Sequence, residues 1–146
     1  MIKIKKSTRI NRLMLPQSSE KQEVILLGTY LSEDGNYEIK ITIADENLGY
    51  FEGFLTNKTS PLGAWIYKLN NSNTRYAYLL KRKITAIGIY PWYRTPSWDE
   101  TVFEYWNGAY SSSTDELTMG MSTTYASANV GIQITTQKNI RFIKKP

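Results

Sequence analysis

Hydrophobic and polar residues alternate along this chain with a period of two, and no segment sustains a period of 3.6. Residues 36–44 are the clearest case: Tyr37, Ile39, Ile41 and Ile43 fall on one face and Glu38, Lys40 and Thr42 on the other. Further strands are predicted over 24–31, 48–56, 64–69, 76–80, 84–93, 101–110, 117–124 and 129–135, with a short last one over 140–143. Pro91 weakens 84–93 as a central strand. Polar turns separate these runs at Ser32–Gly35, Asp45–Asn47, Asn70–Asn73, Tyr93–Glu100 and Ser111–Glu116. Gly49 and Gly53 predict a bend or a close backbone approach in the third strand. Short connections and sequential strands predict an all-β, antiparallel, up-and-down β-barrel of about eight strands. It occupies 23–146, behind an N-terminal extension, 1–22. The segment 101–110, TVFEYWNGAY, carries aromatics on both faces: Val102, Glu104 and Trp106 on one, Phe103 and Tyr105 on the other. Such a strand has something to cover on each side, as in a barrel wall.

Composition narrows the function. Cysteine and histidine are both absent. That removes disulfides, thiol nucleophiles, the usual general base and the usual zinc ligands, so neither catalytic residues nor a metal site is expected. Aromatics make up 13% of residues, 11 of them tyrosine, which favours recognition by contact. The net charge of +5 is unevenly spread. Residues 1–12 hold five basic side chains and 138–146 four, with no acid in either, so 13–137 holds nine basic and thirteen acidic ones, a net of −4. The basic ends read as solvated termini in preference to nucleic-acid or membrane arms. The acidic doublets all lie in predicted turns, so they read as solvated turns in preference to glycosidase carboxylates. No apolar run is long enough for a secretory signal or a membrane span, so a cytoplasmic protein, or one exported without a cleavable signal, is expected.

Five anchors then fall in order: Gly28-Thr29-Tyr30 with Gly35 and Asn36; Gly49 and Gly53; Gly88 in an apolar strand ending at Tyr93; Trp106-Asn107-Gly108-Ala109-Tyr110; and Ala128 to Ile134. In this the stretch 28–135 resembles the avidin/streptavidin family of biotin-binding barrels. The resemblance implies a non-enzymatic barrel that binds biotin or a related small molecule at one open end, and assembly as a homo-oligomer, a dimer or tetramer. It implies polar ligand contacts from Ser32, Asn36, Asn57 and Gln133, and aromatic walls from Tyr93 and Trp106. It places Leu55 where the family has a tyrosine and Glu104 where it has a hydroxyl. Met121, or less readily Met119, fills the place of a tryptophan, and Tyr125 stands where the family donates a tryptophan across an interface. Leu55 and Glu104 imply altered affinity: one loses a donor, the other sets a carboxylate beside the ring system.

The same residues admit other readings. A one-residue bulge would turn Glu104 out and Phe103 and Tyr105 in. The barrel is alternatively a structural or oligomerisation module whose pocket is closed by its own side chains, or a carbohydrate-binding protein using its Trp and Tyr faces.

Overall fold

A computed structural model describes residues 26–79 and 81–146, without the side chain of Lys138; the predicted extension 1–22 lies outside them. The described chain is all-β, with ten strands: β1 (Gly28–Ser32), β2 (Tyr37–Asp45), β3 (Tyr50–Asn57), β4 (Trp65–Leu69), β5 (Thr74–Leu79), β6 (Ile84–Ile89), β7 (Trp92–Arg94), β8 (Glu100–Ser111), β9 (Glu116–Ser127) and β10 (Gly131–Lys144). They form one antiparallel sheet in the order β4-β3-β2-β1-β10-β9-β8-β6-β5, and β7 continues alongside β8 beyond β6.

The sheet curls around a single core. Tyr37 on β2 meets Trp106 on β8 edge to face, with ring centroids 5.0 Å apart, and Tyr30 on β1 meets Tyr110 at 5.7 Å. These strands are not neighbours in the sheet, so the contacts cross the interior. Tyr30, Tyr37, Ile39, Phe51, Leu55, Val102, Trp106, Leu117 and Phe142 are all fully buried there. The sheet is not closed, against the expectation of a closed barrel of about eight strands. Its edge strands β4 and β5 are consecutive, yet no ladder joins them. Instead, one side chain and one backbone bond tie β5 to β3 and the turn before it. The Thr74 hydroxyl bonds the Phe51 N–H and C=O at 3.0 and 2.7 Å, and the Tyr76 N–H reaches the Gly49 carbonyl at 2.8 Å, so β5 leans on β3.

Three local expectations change. Ile43 shares a face with Ile39 and Ile41 by alternation but is half exposed where they are buried, because the register of β2 against β3 slips between Ile41 and Ile43. Gly53 makes that bulge fit: a β-carbon there would lie 1.7 Å from the Lys40 carbonyl oxygen. The predicted strand 84–93 breaks at Tyr90 and Pro91 into β6 and β7. The segments 129–135 and 140–143 are one strand, β10, with a register shift between Gln137 and Ile140 and Asn139 at φ 59°.

Candidate functional site

Strand alternation on β8 sends Val102, Glu104, Trp106 and Tyr110 inward and leaves Phe103 and Tyr105 outside. No bulge interrupts β8 against β9, so Glu104 is an interior residue, with no solvent exposure at all. Its two carboxylate oxygens each accept one hydrogen bond: Oε1 from the indole Nε1–H of Trp106 and Oε2 from Nδ2–H of Asn57, both at 2.9 Å. Hydrogen bonds to a carboxylate are each worth about 1.5–3 kcal/mol, which offsets part of the cost of burying the group. Asn57 cannot turn away. Its Oδ1 accepts from the Thr59 N–H and hydroxyl at 2.8 and 2.9 Å, an Asx-type local bond that aims the amide nitrogen at Glu104.

Further groups close the cluster. The Tyr37 hydroxyl pairs with Thr59 Oγ1 at 3.2 Å and accepts from Gln137 Nε2 at 2.9 Å. The Tyr67 hydroxyl is buried beside Glu104 without completing a hydrogen bond; burial first, then the Glu104 charge, pushes its ionisation above the ordinary phenol range. Met121 is paired in register with Trp106 and receives the Thr123 hydroxyl on its sulfur.

The residues expected at a biotin-like pocket separate into two groups. Asn57, Glu104, Trp106 and Met121 come together in the core, and Leu55 is buried on the same wall, two residues before Asn57 on β3. The others do structural work elsewhere. Ser32 accepts the Tyr37 N–H at 2.9 Å and donates to Asp34 at 2.7 Å, while the Asn36 N–H also donates to Asp34. The Asn36 N–H first, and then the Ser32 hydroxyl, hold the Asp34 carboxyl below its usual range, so Ser32 and Asn36 serve a turn. Tyr93 sits half buried on β7 against Trp65, centroids 4.6 Å apart. Tyr125 donates its hydroxyl to Glu100 at 2.6 Å, and that bond raises its ionisation. Gln133 is exposed: β1 pairs only with 142–144 of β10, so residues 131–137 run beyond the curled part of the sheet. Sequence reading missed Tyr37, Thr59, Tyr67 and Gln137. The Asn57-x-Thr59 spacing carries a local signal for the first bond of the cluster; Gln137 carries none, since the bulge decides where it reaches.

A second surface lies outside. The register aligns Trp92, Phe103, Thr124 and Ile134 in one row, and Arg94, Thr101, Ala126 and Ile132 in the next. Trp92, Ile132 and Ile134 are each more than half exposed.

The fold and site define an all-β protein with an open, curled antiparallel sheet around a polar cluster whose centre, Asn57, Glu104 and Trp106, is buried. No family model, curated protein or solved structure matches the chain. Among the described residues no helix is long and apolar enough to cross a membrane, and no three acidic side chains group to hold a metal ion.

Proposed function

We propose that this protein is a non-enzymatic binding module on an avidin-like, up-and-down layout, with an interior given over to stability and an outer surface given over to binding. The avidin-like reading draws support from the sequential antiparallel strands and from the pairing of the first strand with the last. One observation carries the closed-interior reading. Glu104, Asn57 and Trp106 occupy positions that the resemblance assigns to a ligand, and they hydrogen-bond to each other with at most 1% of their surface exposed. Titration calorimetry and thermal unfolding with biotin and desthiobiotin are expected to give no binding heat and no stabilisation. A ligand at 100 times its dissociation constant would add about 2.7 kcal/mol, and a shift of that size would overturn this reading in favour of an interior biotin-like site.

Assembly with a second copy is the second reading, favoured by the free edge of β10. Residues 117–137 contain no charge and no proline, the devices that ordinarily guard an edge strand, and among the described residues no strand pairs with 131–137 on the side away from β9. An antiparallel pairing of this edge with its own copy is self-complementary about a two-fold axis. Light scattering after size exclusion is expected to report a species larger than a monomer, which Ile134→Lys converts to monomer. A wild-type monomer at every concentration would remove this reading.

A further inference from the structure

The β7–β8 connection holds a residue that local backbone energetics disfavour. Thr95 to Asp99 form a tight loop, closed by Trp98 N–H to the Thr95 carbonyl at 3.0 Å and Thr95 N–H to the Glu100 carbonyl at 2.9 Å. Trp98 has φ 65°. A hairpin loop that turns and then enters the left-handed region ordinarily places glycine or asparagine there, because a β-carbon is strained. Tryptophan gains no burial in exchange: it is 74% exposed, and the Arg94 guanidinium lies 3.6 Å from its ring centroid. Trp92, 58% exposed, stacks on Phe103 with centroids 5.9 Å apart and planes 29° from parallel. Strain at an exposed indole, offset within the fold by the exposed Arg94 contact and by no burial, marks a position kept for contact with something else.

The two indoles flank a cleft of about 430 Å³ floored by Phe103, Ala126 and Ile132. Its rim is polar and carries both signs. Among the described residues, Arg94 forms no ion pair and the Asp99 carboxylate accepts no hydrogen bond, while Glu100 is oriented by the Tyr125 hydroxyl. The Ala128 N–H to Asp99 carbonyl bond, 2.9 Å, ties the loop to the β9–β10 turn, so the cleft is pre-organised.

We propose that this cleft binds a neutral carbohydrate. A pyranose ring presents polarised C–H groups on one face, which the electron-rich face of an indole attracts, and hydroxyls around its rim. Arg94 supplies a fork of donors, and Asp99 and Glu100 supply acceptors, for pairs of neighbouring hydroxyls. Charge selects against the alternatives: an anion meets Asp99 and Glu100, a cation meets Arg94, and a purely apolar segment leaves the rim groups unmatched. The volume suits a mono- or disaccharide unit.

The inference rests on the reading that the outer surface binds, and it is tested on that surface alone. The labelled full chain is applied to a glycan array covering neutral hexose, N-acetylhexosamine, uronate and sialylated oligosaccharides. Hits are then titrated by intrinsic tryptophan fluorescence in wild type, Trp92→Ala and Trp98→Gly. We expect saturable binding to neutral glycans with a blue shift, weakened about tenfold or more in both variants. Trp98→Gly relieves the left-handed strain, so its melting temperature is expected to equal or exceed that of wild type. Loss of binding with retained stability therefore separates a site from a folding defect. The proposal fails if no neutral glycan binds at millimolar concentration, if only charged glycans bind, or if binding survives in both variants. Failure on the array leaves the closed interior standing; biotin binding at the core would sink the closed interior without touching this cleft.

Discussion

Trp106→Ala is expected to remove most of the stability of this protein. The indole is the largest fully buried side chain, and it meets Tyr37 and Phe142 at ring-centroid distances of 5.0 and 6.0 Å. Truncating such a residue costs about 3–5 kcal/mol through lost transfer energy and the cavity left behind. The indole N–H also supplies one of the two hydrogen bonds that Glu104 receives, and leaving a buried acceptor short adds about 1–3 kcal/mol. Domains of this size are stable by roughly 5–15 kcal/mol, so the variant sits near or beyond its unfolding midpoint in water. Urea unfolding followed by circular dichroism measures this. Trp106→Phe keeps a six-membered aromatic ring and loses the N–H with the rest of the five-membered ring, so it should fall between wild type and alanine. A loss below about 2 kcal/mol for Trp106→Ala would show that the indole is not the keystone of the core.

Glu104→Leu is the second large effect. Leucine fits an apolar wall, so a simple view of hydrophobic burial would predict stabilisation. The opposite is expected, because Asn57 and Trp106 are fixed donors aimed at the missing carboxylate. Each buried neutral donor left without an acceptor costs about 1–3 kcal/mol, and two are left here. Asn57 cannot reorient without giving up both bonds from Thr59, and Trp106 is held by the rings around it. Pairing Glu104→Leu with Trp106→Phe removes an acceptor and a donor together. The double variant should lose less than the sum of the singles, with a coupling of about 0.5–3 kcal/mol. Strict additivity would mean that the 2.9 Å contact between them contributes nothing to folding.

Both variants test the same idea, that the polar core is a structural device. A carboxylate in a small barrel-like interior invites a reading as a ligand site. Here its donors come from within, one two residues away on the same strand and one across the interior on β3. The groups whose chemistry is left open lie outside, at Trp92, Trp98, Arg94 and Asp99.

Much of this was legible in the residues. Period-two alternation defined the strands, and Ser, Asn, Asp, Glu and Gly clusters defined the turns, because the pleat and turn chemistry are local. That Glu104 and Trp106 share a side followed from parity; which side faces inward did not, and the unbroken pairing of β8 with β9 decides it. The breaks in the pattern were not legible. Ile43 alternates perfectly with Ile41, yet a bulge against Gly53 turns it out. Gln133 shares the inward parity of β10 with Gln137, yet only Gln137 reaches a core group, the Tyr37 hydroxyl, because the curled sheet extends no further along β10.

By itself, then, the sequence determined an all-β antiparallel chain without thiol or imidazole chemistry, since composition and side-chain period need no partner to be read. The tertiary structure alone decided that the sheet stays open between β4 and β5, that Asn57, Glu104 and Trp106 satisfy one another, and that the free aromatic surface lies outside. Each of those depends on which strands become neighbours and how far the sheet curls. Those are properties of contacts between residues tens of positions apart, such as Asn57 and Glu104, and no local pattern encodes them.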